Sequence, residues 1–300
     1  WIECTSFGLE TAQHVREAVT AYDRAVDVWV VDLRGNGGGY VTAARDTAGV
    51  FTGAGDIAYF RYGDGSLEPA TYEGSYDTEN PVIVLVDGET ASASELFASA
   101  IQYYDAGIVI GTRTYGKGVA QTLFDQEVLP DYFPDGDGMK ITTSRFYGPM
   151  GNTTDQLGVI PDLLVAEEDI EAVARLFYGP DTREETGANW LMLNLTWPFL
   201  IDLRDAKAPD ALLPLLEALT DQVSMALITD TDDLESITPA QLAGRYKLSY
   251  TGPVFADQDE SIYGSDLSIL KAYGLVQGRG DGRYCPQDTL TRAELCQMLS

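Results

Sequence analysis

Hydrophobic positions in the first half of this chain follow two alternating rhythms. Thr11–Tyr22 carries apolar residues at Ala12, Val15 and Val19, the spacing of a helix with one buried face. Val28–Leu33 and Pro81–Val86 are instead short unbroken apolar runs, which suits strands buried on both faces. Val41–Phe51 and Ser94–Tyr104 read as further helices. Trp1–Phe7, Ala58–Tyr62, Gly107–Ile110, Gln121–Glu127 and Met139–Tyr147 read as strands, with D-Y-F-P-D-G-D-G as a turn. Strands alternating with helices predict an α/β core over residues 1–166. Residues 167–254 are expected to be mostly helical, led by Leu212–Leu227 after an A-P-D start. The stretch Trp190–Ile201 reads as core or a domain interface. Its dozen residues, broken by Pro198, fall short of the roughly 20 that cross a bilayer. Residues 255–300 change character and form a third segment.

Composition narrows the classes. Three hundred residues at 45% hydrophobic are enough for one large domain and one or two small ones. Nineteen basic against 47 acidic residues leave a net charge of −28, which disfavours nucleic acid and anionic membranes as partners. That charge suits a soluble surface in a salt-rich or cation-rich setting. Cys4, Cys285 and Cys296 form no metal motif and too few pairs for a disulfide scaffold; whether Cys285 and Cys296 pair stays open. No apolar run is long enough to span a membrane, and Trp1 opens a strand rather than a signal peptide.

Candidate chemistry sits in four short words: D-L-R-G-N-G-G-G (Asp32–Gly39), T-A-S-A-S-E (Thr90–Glu95), Y-G-K-G-V-A-Q (Tyr115–Gln121) and G-V-I-P-D (Gly158–Asp162). A serine between a strand and a helix start presents its hydroxyl at the helix's positive end, where an oxyanion is best tolerated. It needs a base, and the one histidine, His14, lies far upstream in a helix-like segment. A Ser-His-Asp triad is thereby disfavoured, which leaves lysine. Each word also has a plain structural reading. Ser92 and Ser94 could cap an ordinary helix, and Lys117 could be a solvated loop residue. The glycine run could cradle a phosphate, but it lacks the spacing of the nucleotide loops. Agreement of all four words favours the joint chemical reading. Ser94 is expected to have only a local helical role.

The order and spacing of these words resemble the carboxyl-terminal processing, or tail-specific, peptidases. The resemblance fades after about Val165. It implies Ser92 as nucleophile, Lys117 as base 25 positions later, and Gln121 as the residue that orients the lysine. The oxyanion donors would be the amides of Ala93 and Gly39, with Gly38 the alternative for the second. The implied fold is a Clp-protease/crotonase-like β-spiral, the implied reaction serine endopeptidase cleavage near protein or peptide C-termini, without metal or other cofactor. A Lys117 base must be neutral, so its pKa must fall well below about 10.4, and desolvation is the expected cause. A glutamine at 121 can accept its hydrogen bond without adding the charge that would stabilise an ammonium. The family usually carries a secretion signal and a peptide-binding PDZ domain upstream, so the chain is expected to begin inside a longer precursor. A non-catalytic peptide-binding relative is the alternative, and a protein serving mainly to bind the wall is a third reading.

The last segment resembles an S-layer homology repeat. A first helix would end at Gly274, followed by a G-x-G-D-G turn, Pro286 and T-R-A-E opening a second helix, with Thr291 and Glu294 as a capping box. Phe255–Gln258 (F-A-D-Q) fits the lead-in. Such modules hold proteins to cell-wall polysaccharide, generally as three repeats and through the T-R-A-E arginine, here Arg292. With only one repeat visible, the resemblance implies an extracellular or bacterial cell-envelope location more clearly than it implies anchoring.

Overall fold

All five residues of β5 (Val82–Val86) are buried, as a strand covered on both faces requires. In this computed structural model, β5 pairs in parallel with β2 (Trp29–Asp32) on one side and β6 (Gly107–Gly111) on the other. The short β1 (Ile2–Glu3) lies parallel on the far edge of β2. The structure describes all residues except 134–135, 181–188, 205–207, 220–222, 230, 232, 251–254, 256, 273–275, 277, 280–282 and 294–300. They form two compact units, Trp1–Asp162 and Leu163–Ser300.

Three helices join the parallel strands of the first unit: α1 (Thr11–Tyr22), α2 (Val41–Thr52) and α3 (Ala93–Tyr103). Their apolar faces (Val15 and Val19, Ala44 and Phe51, Phe97 and Ile101) enter one core with Val31, Val84 and Val109 of the sheet. Phe97 is fully buried between Phe7 and Phe51, with ring centroids 5.8 and 6.2 Å away. The helix that carries the candidate serine is thereby fixed to α2 and to the segment before α1.

A second sheet of the same unit is antiparallel, in the order β4-β3-β8-β7. Its strands are β3 (Gly55–Tyr62), β4 (Leu67–Tyr72), β7 (Val119–Asp125) and β8 (Gly138–Tyr147). Ala58 and Phe146 on its inner face pack against Leu96 of α3. Sequence reading overlooks β4 because Pro69 and Glu68 look unlike a strand; an edge position tolerates both. β3 meets β8 only through Ser144–Tyr147, whereas β7 and β8 pair from Val119 to Asp125. Their distal halves therefore leave the sheet as a two-stranded arm, on which Leu123, Met139 and Ile141 are exposed.

The second unit corrects the expectation that residues 167–254 are mostly helical. After the short β9 (Leu163–Leu164) and α4 (Ile170–Ala174) comes an antiparallel sheet in the order β10-β12-β11-β13-β14. It contains β10 (Phe177–Tyr178), β11 (Trp190–Asn194), β12 (Pro198–Asp202), β13 (Ser224–Ile228) and β14 (Leu234–Ser236). The apolar stretch Trp190–Ile201 is a hairpin. Leu191, Leu193, Phe199 and Ile201 are fully buried on one face, and Trp190 and Leu200 are buried on the other, so the run shows no alternation. The helix expected at Leu212–Leu227 is α5 (Ala208–Ala218), and its second half is strand β13, where pairing with β11 outweighs helical spacing. α6 (Pro239–Tyr246) follows, capped by Thr238.

In the last segment, α7 (Gly264–Ala272) stands where the first repeat helix is expected. Phe255, Leu267 and Val276 form its small core, and Asp257 accepts the amides of Tyr284 and Cys285 at 2.8 and 2.9 Å. The expected ending at Gly274, most of the second helix with the capping partner Glu294, and Cys296 lie outside the described residues.

Replacing Phe97 by Ala should remove about 3–5 kcal/mol of stability, because it empties the contact of α3 with Phe7 and with Phe51 of α2. A urea midpoint for the first unit that scarcely moves would refute this account of how the serine helix is held.

Candidate active site

The turn from β5 to α3 is built on two buried residues, Asp87 and Asn36. Asp87 accepts the amides of Glu89 and Thr90 within the turn, at 3.0 and 2.9 Å, and the amide of Gly35 across from it at 2.8 Å. Asn36 is fully buried; its backbone oxygen accepts Ala91 N and Ser94 Oγ, each at 3.0 Å. Between these ties Ser92 takes φ 62° and ψ −116° at the helix N-cap. A non-glycine residue at positive φ costs on the order of 1–3 kcal/mol and persists where its surroundings impose it.

Glu95, one turn into α3, is fully buried and accepts four hydrogen bonds. The donors are Ser92 N at 2.6 Å, Thr114 Oγ1 at 2.7 Å, Gly116 N at 2.8 Å and Lys117 N at 2.9 Å. One carboxylate thus holds the main chain of Ser92 and the main chain of Lys117. Gly116 takes φ 89°, and a Cβ there would lie 3.0–3.1 Å from the backbone of Gln156 and Gly158. Thr114 also bonds Val159 in both directions. Of the fourth word, Gly158 and Val159 brace the lysine loop, while Asp162 bonds β6 through Val109.

The glycine run passes directly beside the serine. A Cβ on Gly38 would come within 2.9 Å of Ser92 Cβ and 3.1 Å of Ala93 N. The Gly38 amide is already used, donating to Asn36 Oδ1 at 2.9 Å. Gly39 takes φ 149°, with Phe7 O only 2.3 Å from where a Cβ would stand, so no side chain fits. Among the described residues, neither the Gly39 amide nor the Ala93 amide has a protein acceptor.

Lys117 is half-buried and Gln121 is exposed. Among the described residues, Lys117 Nζ makes no hydrogen bond to Ser92 Oγ or to Gln121. The burial asked of Lys117 is only partly present, since among the described residues no further strand pairs with the outer edge of β7. His14 is exposed on α1. Arg292 is exposed and belongs to the second unit. Among the described residues, no group of three His, Cys, Asp or Glu side chains is placed to hold a metal ion.

Ser94 corrects the expectation of a merely local role, because its hydroxyl ties α3 to the glycine loop 58 residues away. Sequence reasoning also passed over Glu95, Asn36 and Thr114. The S-x-x-E pattern from Ser92 to Glu95 is a capping-box signal that could have singled out Glu95. Asn36 and Thr114 carry no such signal.

A serine in a constrained strand-to-helix turn, flanked by unsatisfied amides, is an arrangement suited to acyl transfer, and the sequence comparisons give the class as peptidase. Residues 1–165, more than half of the chain, match the model of peptidase family S41, and the chain belongs to that family. Residues 254–296 match the S-layer homology domain. The chain is 32% identical over 182 residues to a chloroplastic C-terminal processing peptidase of Tetradesmus obliquus, covering 59% of this chain and 38% of that protein. It is 35% identical over 147 residues to a carboxyl-terminal-processing protease of Picosynechococcus, covering 49% and 34%. The solved photosystem II D1 C-terminal processing protease superposes with a TM-score of 0.50 at 31% identity, over 60% of this chain and 46% of that one. The matched portion of the chain thus spans little more than a third of these curated relatives.

Two predictions rest on this geometry. Glu95→Gln replaces one acceptor oxygen by an amide that faces backbone donors, so turnover should fall at least about tenfold in a folded chain. Near-normal kcat would show that the shared carboxylate does not position the site. Cys4 contacts Asn36 through both its carbonyl and its thiol. Burial pushes that thiol up to about 11, so at pH 8 the reactive thiolate is on the order of a thousandth of the population. In a chain with Cys285 and Cys296 changed to serine, a thiol reagent should label Cys4 only after unfolding; prompt native labelling would contradict this.

Proposed function

We propose that this chain is the catalytic portion of a serine-type endopeptidase that cleaves unstructured proteins or peptides near their C-termini. The observation that carries the reading is the Glu95 carboxylate, which binds the amides of Ser92 and Lys117 together beside two amides that lack acceptors. Lys117 Nζ takes the proton of Ser92 Oγ, which attacks the scissile carbonyl carbon. The oxyanion is held by the Gly39 and Ala93 amides, a contribution of about 3–4 kcal/mol per donor in other hydrolases. Gly39 is preferred to Gly38 because the Gly38 amide already serves Asn36. The Lys117 ammonium returns the proton to the leaving amine, and water then hydrolyses the acyl-enzyme. No step requires a cofactor.

Lys117 is half-buried and Gln121 exposed, so a bound peptide lying over them excludes water from the amine and the serine. Within this reading the two sheets of the first unit are parts of a Clp-protease/crotonase-like spiral. The S-layer homology segment supports a place at the bacterial cell surface, with Arg292 toward wall polysaccharide. A non-catalytic peptide-binding relative is the second reading, favoured by the unformed contact between Lys117 and Ser92.

Cleavage of an unstructured, apolar-ended peptide tests the reading. Ser92→Ala and Lys117→Ala should each abolish turnover while the chain stays folded, because nucleophile and base act as a unit. Equal cleavage by wild type and Ser92→Ala, or none by wild type, would reject it. Gln121→Ala should lower turnover, since it removes the side chain proposed to orient the Lys117 amine; unchanged turnover would remove Gln121 from the mechanism.

A further inference from the structure

The antiparallel sheet of the first unit has a second face. Ala58 and Phe146 turn inward to Leu96, so the alternation of side chains puts Tyr59, Arg61, Leu67, Arg145 and Tyr147 on the opposite side. Cross-strand partners there are Tyr59 with Tyr147 and Arg61 with Arg145. A cavity of about 570 Å³ opens on this face, walled by Tyr59, Leu67, Tyr147 and Met150, with Arg61 at its edge. Its volume lies within the roughly 300–1,000 Å³ of small-ligand sites.

The charges at this cavity are unusual. Like charges directly opposite each other on paired strands are destabilising. Arg145 is compensated by Asp155 at 3.6 Å. Arg16, Arg34 and Arg45 of the same unit also have carboxylate partners, whereas Arg24 and Arg113 have none among the described residues and line no such cavity. Arg61 has no ion pair among the described residues, in a chain with 47 acidic side chains. The tyrosine beside it is oriented, because Tyr59 OH donates to Asp56 Oδ2 at 2.8 Å. An unpaired guanidinium beside an apolar wall is complementary to a carboxylate that carries an apolar group.

We propose that this cavity holds the C-terminus of the peptide substrate. The terminal carboxylate pairs with Arg61, and an aromatic or aliphatic last side chain lies among Tyr59, Leu67, Tyr147 and Met150. The choice of a peptide end over other apolar carboxylates rests on the peptidase reading above. The cavity floor is continuous with the site's scaffold: β8, which supplies Tyr147, pairs along its length with β7, the strand that follows Lys117. A peptide end held here would give the catalytic unit its own means of recognising a free terminus.

The test uses the full chain carrying Ser92→Ala, which blocks turnover, and a labelled apolar peptide made as the free acid and as the C-terminal amide. Fluorescence anisotropy should show the acid binding about tenfold more tightly. Arg61→Gln should erase that difference, Arg61→Lys should keep most of it, and Met150→Ala should weaken both peptides. Arg61 is exposed and faces another arginine, so its removal should leave the thermal midpoint unchanged or raised. Equal binding of acid and amide, or a preference that survives Arg61→Gln, would overturn the proposal. Full competition by N-acetyl-leucine at the peptide's own Kd would also overturn it, in favour of a small-acid site. Turnover is scored separately in wild type: cleavage without acid preference rejects the cavity alone, and acid preference without cleavage rejects the peptidase reading alone.

Discussion

One buried carboxylate organises the first unit. Glu95 has no exposure to solvent, and an ionised group there would be very costly if its oxygens were unsatisfied. Four donors satisfy them, and those donors come from the serine turn, from Thr114 and from the lysine loop. Each donor depends on the acceptor, so the two segments are placed relative to each other by a single side chain. The fold supplies the rest: Phe97 holds α3 against Phe7 and against Phe51 of α2, and Gly158 and Val159 brace the loop from behind. Asp87 repeats the device, tying the serine turn to the glycine loop through Gly35.

These ties hold backbone rather than side chains. The main chain of Lys117 is pinned while its amine makes no bond to the serine, and Gln121 stands on the exposed edge of the sheet. In the mechanism proposed above, main-chain groups are the parts that must be ready before a substrate arrives, since they would meet the oxyanion without reorganising. In that mechanism the lysine tip would wait for the peptide to displace water.

Local pattern made much of the first unit legible. The helix Thr11–Tyr22 was read with the bounds it has, and the buried strands differ by a residue or so. Their apolar rhythm reports directly which side faces the core. Legibility failed where pairing partners decide. Trp190–Leu193 is buried on both faces, and Ser224–Ile228 keeps a helical spacing yet is drawn into a sheet by β11. In the site, Ser92 and Lys117 stood out because each lies in a distinctive word. Asn36 and Thr114 did not, because their roles are contacts across 19 to 58 residues of chain that no local pattern encodes.

The left-handed backbone of Ser92 has a consequence for how this molecule trades stability against activity. Alanine at that position keeps the same penalty, since any Cβ is disfavoured at φ 62°. Glycine alone would relax it and lose the hydroxyl at the same time. The conformational energy stored in the turn is therefore inseparable from possession of the Ser92 hydroxyl, and with that hydroxyl as the nucleophile proposed above, a chain drifting toward greater robustness at this residue would drift out of chemistry altogether.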